Sequence, residues 1–312
     1  MTTSHAATLV LVGGHESDGG LRLRPWVEDG LAFRAVDAGQ DLVRAVEEAL
    51  ALSDLPVCVV PMTLGRDPRL VADAARALAW SARPTRSTAA GRIALTEPFG
   101  SAEHLVGWLR AAGADHAGAA PDRSEGTALL VTAPMAGPFE DAELFRIARL
   151  VCQHGRYPWV EVAFDGGDPE PGEGVERCRR LGARRVVLLN AAFGTRTAGV
   201  VPGAEDGGPL LSRHAVAGVL GLRLRRALLR LRAGADGIAE GLGAEHGHGY
   251  AHSHGPNEAD HAPVHPHPHP HAQPHQHPHA QPYQHPHSQP YQHPHSHPHG
   301  SSPAASPAVA HA

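Results

Sequence analysis

The chain has 312 residues, 42% of them hydrophobic and 19% charged, with a formal net charge of −5 at neutral pH. With scattered arginines and no basic run it lacks the positive face that nucleic-acid binding needs. No stretch approaches the 18 uninterrupted apolar residues of a membrane span.

Three cysteines, Cys58, Cys152 and Cys178, are too few and too far apart for a disulfide framework or a Cys-x-x-Cys metal site. The opening MTTSHAATLVLVGG has no basic start followed by a long apolar run. No signal peptide is expected, and a cytoplasmic location follows by elimination.

In chain order, TLVLVGG (Thr8–Gly14) reads as a buried strand running into glycines. DLVRAVEEALAL (Asp41–Leu52) places Leu42, Val43, Val46, Ala49 and Leu50 on one helical face. LPVCVVPMTLG (Leu55–Gly65) is a strand closed by Pro and Gly. A helix over 67–80 follows, with Asp67 as N-cap and Pro68 at the first helical position. GRIALTEPFG (Gly91–Gly100) is a strand and loop, and SAEHLVGWLRAAG (Ser101–Gly113) a helix closed by glycine.

The order then restarts. Strands are expected over 127–134, 158–165 and 185–194, helices over 140–155 and 173–182, and one long helix over 212–243. A shift of 129 residues lays VCVVPMTLG (Val57–Gly65) over VVLLNAAFG (Val186–Gly194), and the same shift sets Val46-Glu47 on Val175-Glu176. Any two strand–helix–strand units share a pattern, but one shift aligning both helix and strand points to duplication. The expectation is an α/β fold of two similar lobes, each a parallel sheet flanked by helices, over 1–120 and 121–243.

From residue 244 onward the apolar periodicity stops and Pro, His, Gln, Ser and Gly take over. The stretch from His261 to Gly300 carries most of the chain's 25 histidines and repeats QPYQHPHS. Such a segment cannot bury enough apolar surface to offset its ordering entropy, so 244–312 is expected to be a disordered tail.

Chemistry is concentrated in two loops. In LVGGHESDGG (Leu11–Gly20), the glycines would admit a ligand to the carboxyl end of a parallel strand, with Gly14 and Ser17 on its substrate side. His15 there could ligate a metal or move a proton, oriented by Glu16 or Asp18; a solvated loop histidine fits the pattern too. In PMTLGRDP (Pro61–Pro68), Arg66 could pair with a substrate carboxylate, Asp67 caps the next helix, and Arg69 follows. Asp37 and Asp165 sit at nearly equivalent places just beyond a strand, as catalytic carboxylates or as turn formers. His104, His116, His154 and His214 read as surface residues. No G-x-G-x-x-G after a strand, Walker loop, G-x-S-x-G or H-E-x-x-H is present, so nucleotide and serine-hydrolase chemistry lose their usual support.

TLVLVGGHES, VVPMTLG and EPFGSAEHLVGWL, in that order over residues 8–235, resemble the class II chelatases of tetrapyrrole biosynthesis, which typically begin with a strand and a GHGS motif. The resemblance implies insertion of a divalent metal into a sirohydrochlorin-type tetrapyrrole, Co²⁺ first, with Ni²⁺ or Fe²⁺ as alternatives, and no cofactor beyond that substrate metal. It implies His15 as metal ligand and, with Asp37, as the catalytic pair. The family's second metal histidine does not map: GRDP places Arg66 and Asp67 there, so Asp67, Asp37 or a substrate nitrogen would complete the coordination, with Arg66 and Arg69 as substrate-binding arginines. Self-association stays open.

The tail histidines His265, His267, His269, His271, His275, His277, His279, His285, His287, His293, His295, His297 and His299 are imidazoles suited to divalent transition metals. Metal storage or delivery is the expected role, with repeat expansion as the plainer account. A non-enzymatic metallochaperone or buffer on a chelatase-like scaffold is the alternative to the enzyme.

Overall fold

The computed structural model describes residues 6–81, 91–117, 126–196 and 199–244. The tail histidines lie outside the described residues.

The first half opens with β1 (Thr8–Gly13), a 3-10 turn at His15–Ser17, a second at Leu21–Leu23 and the short α1 (Arg24–Glu28). It continues through β2 (Arg34–Asp37), α2 (Gln40–Leu52), β3 (Val57–Met62), α3 (Pro68–Ser81), β4 (Ile93–Leu95) and α4 (Ala102–Ala117). The second half runs β5 (Thr127–Pro134), α5 (Pro138–His154), β6 (Trp159–Asp165), α6 (Pro171–Arg180), β7 (Arg185–Asn190) and β8 (Glu205–Asp206), followed by α7 (Arg213–Arg232) and α8 (Ile238–Leu242).

Each half forms a four-stranded, all-parallel sheet, with orders β2-β1-β3-β4 and β6-β5-β7-β8. The two orders are the same when the strands are matched in sequence, as duplication requires. Parallel strands covered on both faces need near-continuous apolar runs, and VCVVPM in β3 is buried at all six positions. In α2 the buried face is Leu42, Ala45, Val46 and Ala49, one position round from the expected stripe.

The faces separate by residue parity. Val10, Val12, Val57 and Val59 pack outward against α2 and α3. Ala128, Leu130, Val186 and Leu188 do the same with Val175 and Cys178 of α6. The opposite faces meet in one larger core: Leu9, Leu11, Val60 and Met62 of the first sheet share it with Leu129, Val131, Val187 and Leu189 of the second, through α4, α5 and α7. At about 1.5–3 kcal/mol per fully buried large aliphatic side chain, this shared layer binds the halves far more strongly than any surface pair.

The chain's end does not stay with the second sheet. Residues 213–242, expected in the second lobe, return to the first. The backbone N–H of Leu95 donates to Asp236 O at 2.8 Å, Ile238 joins the Val59 and Leu95 core, and Arg223 Nη1 reaches Glu97 at 2.6 Å. The helix expected over 212–243 is broken after Arg232, where Gly234 and Gly237 adopt φ of 86° and 79°, the left-handed geometry that ends helices at glycine.

Candidate functional site at the carboxyl end of β1

The two glycines after β1 serve the protein's own side chains. A Cβ on Gly13 would overlap Ser17 Oγ and Gly20 N, and one on Gly14 would overlap Asp67 Oδ2. Their absence lets the 15–20 turn fold back and lets the loop after β3 come against it.

That approach joins His15 to Asp67. His15 Nδ1 lies 3.0 Å from Asp67 Oδ2, with the side chains 20% and 10% exposed. The other Asp67 oxygen accepts from the Leu70 N–H at 3.0 Å, capping α3 as expected. Burial raises the Asp67 carboxyl, but the His15 hydrogen bond and charge and the Leu70 N–H outweigh it and hold it below its ordinary value. With Nδ1 occupied by the carboxylate, a neutral ring keeps its lone pair on Nε2. Nε2 is buried and has no hydrogen-bond partner. A carboxylate on one ring nitrogen and an open lone pair on the other is the arrangement of a metal-ligating or proton-accepting histidine.

Asp67 therefore orients His15, in place of the expected Glu16 or Asp18. Glu16 points inward: it accepts from the Thr63 hydroxyl and from the Leu64 N–H at 2.9 Å, and Arg66 Nε stands 3.6 Å from its other oxygen.

Several expected site residues are placed differently. Arg66 is not on a rim; its side chain has no solvent exposure and lies 3.9 Å from Asp141 and 3.3 Å from Glu140 O, across the seam between the halves. A guanidinium this deep is held by carboxylates because burying it alone would be prohibitive. Ser17 is fully buried and bonds Gly14 O at 3.2 Å, closing its own turn. The open side of Gly14 is taken by Asp67. Asp37 is exposed at the end of β2 and accepts from the Ala38 N–H at 2.7 Å, in a local turn beside Gly19 rather than on His15. Its counterpart Asp165 is bound by Arg196. Arg69 stays on the surface, 66% exposed, with Nε 3.8 Å from Glu140.

Reading the sequence missed the seam cluster of Glu16, Thr63, Arg66, Glu140 and Asp141. Nothing in the local pattern pairs residues more than seventy positions apart. Asp67 was legible as a cap, but its second role needs the glycines beside His15. His104 stacks on Trp108 with centroids 5.6 Å apart, and His116 reaches Gly207 O at 3.1 Å; both are structural contacts. Among the described residues no group of three or more His, Cys, Asp or Glu is arranged to hold a metal.

Two four-stranded parallel-sheet lobes, with a histidine after two glycines at the carboxyl end of the first strand, define a two-lobed α/β protein. The chain is similar to a sirohydrochlorin cobaltochelatase of Priestia megaterium, 43% identical over 53 residues, a match that spans 17% of this chain and 17% of that relative. Among solved structures it is similar to the sirohydrochlorin chelatase SirB of Bacillus subtilis subspecies spizizenii in complex with cobalt, with 15% identity, 74% of this chain and 99% of that chain covered, and a TM-score of 0.46. It is also similar to DR2241 of Deinococcus radiodurans, a multi-domain protein with structural similarity to chelatases, with 16% identity, 70% and 55% covered, and a TM-score of 0.41. No family model matches.

Proposed function

We propose that the protein inserts a divalent metal, cobalt first, into sirohydrochlorin or a related tetrapyrrole on the way to cobalamin. The observation that carries this reading is the His15–Asp67 pair with a buried, unpartnered Nε2 at the carboxyl end of β1. The match to a sirohydrochlorin cobaltochelatase supports the choice of substrate and metal.

In this reading the metal ion is substrate, held briefly by His15 Nε2. Metal–nitrogen bonds form to the four nitrogens of the macrocycle as two pyrrole N–H bonds break, so two protons must leave. Once the ion has moved to the macrocycle, Nε2 takes one of them, with the Asp67 carboxylate stabilising the resulting imidazolium, and water takes the other. A single protein nitrogen holds such an ion weakly, which suits transfer. The tail would raise the local supply of metal, and the work would take place in the cytoplasm with no nucleotide or redox cofactor.

A second reading, a metallochaperone or buffer on a chelatase-like scaffold, is favoured by one observation. The position after the proline strand carries Arg66, a buried cation already bound to Glu16 and Asp141, where a second nitrogen ligand would otherwise stand.

The test mixes full-length protein anaerobically with sirohydrochlorin and Co²⁺ and follows the visible spectrum against a protein-free control. A rate well above control that collapses in His15→Ala is expected. A rate equal to control, with cobalt still bound by the full chain, would leave the buffer reading.

A further inference from the structure

Arginines collect on α7, which carries six of them and no acidic residue. Its buried face is Val216, Leu220, Leu224 and Ala227, packed in the core that the two halves share. Four of the six arginines are already paired with carboxylates of this chain. Arg213 meets Asp29 at 2.7 Å, Arg223 and Arg226 meet Glu97 at 2.6 and 3.1 Å, and Arg230 meets Glu240 at 2.6 Å. Arg225 and Arg232 are exposed and have no carboxylate within ion-pair reach among the described residues. At about 100° per residue, Gly218, Leu222, Arg225, Leu229 and Arg232 fall within about 80° of one another, opposite the buried face, and run about 21 Å along the axis. The outer face of a surface helix is ordinarily polar throughout, yet here Leu229 is 64% exposed and Leu222 38%. Beside the stripe lies an apolar groove of about 680 Å³, walled by Leu9, Leu31 and Phe33 on one side and by Ala217, Gly218 and Gly221 of α7 on the other. A Cβ at Gly218 would meet nothing within 4 Å, so the groove opens onto the stripe.

We propose that this face of α7 docks an acidic amphipathic helix of a partner protein, its carboxylates on Arg225 and Arg232 and its apolar side chains on Leu222, Leu229 and the groove. Charge complementarity selects the partner. The two cations left without carboxylates alternate with the leucines, so an apolar and acidic pattern of the same helical period matches both. A second copy fits less well, because an isologous contact sets the same patch against itself and would bring arginine to arginine with no acid on α7 between them. A flat anionic lipid surface would meet the arginines but leave the groove unfilled. A nucleic-acid backbone would have to lay phosphates over two leucines. The surface is independent of the proposed metal insertion, since neither the stripe nor the groove includes His15 or Asp67.

The experiment titrates full-length protein with a fluorescein-labelled helical peptide as long as α7, patterned with leucine and glutamate on one face, and with its leucine–lysine counterpart, and reads fluorescence anisotropy. The acidic peptide should bind at least about tenfold more tightly than the basic one, the value of one charge-assisted hydrogen bond. Arg225→Glu combined with Arg232→Glu should weaken it by about tenfold or more, Leu229→Gln should weaken it less, and added salt should weaken it in the wild type. All three side chains are exposed, so a loss of affinity cannot be assigned to misfolding, and cobalt insertion should be the same in every variant. No binding of the acidic peptide, equal affinity for the two peptides, or wild-type affinity in the charge-reversed protein overturns the proposal. A dimer in sedimentation velocity that Leu229→Gln abolishes would give the face to a second copy and overturn it too. So would binding of phosphatidylglycerol vesicles in preference to the peptide, which would give the face to lipid.

Discussion

At the scale of single residues, one carboxylate performs two tasks. Asp67 caps α3 with one oxygen and holds His15 with the other. The two tasks separate by substitution. Asp67→Asn retains an oxygen for the cap, so it should lose less stability than Asp67→Ala while cobalt insertion falls; Asp67→Ala should lose the cap as well, at about 1 kcal/mol. Urea unfolding beside the insertion assay checks both. The pH dependence has a definite sign. A carboxyl held below its ordinary value of 3.8 in the folded state contributes stability that is fully present above that value and is lost as the pH falls through the lower folded one. Acid unfolding below about pH 4 should therefore be steeper in wild type than in Asp67→Asn. Arg66 gives a contrasting case. Removing a partner from a buried ion cluster costs about 3–5 kcal/mol, so Arg66→Ala should be strongly destabilising. Adding Glu16→Gln should recover part of the loss, as a double-mutant cycle would measure.

At the scale of elements, the inner and outer faces of each sheet decide which groups solvent can reach. Cys58 on β3 and Cys178 on α6 are fully buried, and burial pushes both thiols up to about 12. They form almost no thiolate at pH 8, and the thiolate is the nucleophile. Iodoacetamide should then label Cys152 alone, read by peptide mass. The same raised values add stability that is present below the ordinary thiol value of 9.0 and lost as the pH climbs toward the folded one. Another element-scale consequence lies in α8. Ile238 is 143 positions from Leu95 of β4 and farther still from Val59 of β3, yet it packs in their core. Ile238→Ala should cost about 2–5 kcal/mol, the range for deleting a buried aliphatic side chain, measured by denaturant unfolding of the full chain.

At the scale of the whole molecule, the two halves resemble a duplicated pair, with identical strand orders, but they are joined by a common core and by a C-terminal segment that crosses back. Melting should accordingly show one cooperative transition for the described halves rather than two, which calorimetry would check. What the sequence determined by itself is what short-range periodicity encodes. The strand at Thr127–Pro134 lies where its apolar run predicts, Asp67 caps the helix that it precedes, and the paired halves were visible in one common shift. His15 was marked by its glycines and by the motif resemblance. Tertiary structure alone decided what those residues touch. It turned Arg66 inward onto Asp141, gave His15 to Asp67 instead of Glu16, and left Asp37 in its own exposed turn. It also brought residues 213–242 onto the first sheet. The physical reason is that a local pattern fixes which face of a helix or strand is apolar, whereas the partner of a buried charge is set by the energy of leaving it unpaired. That energy is settled only where distant segments meet.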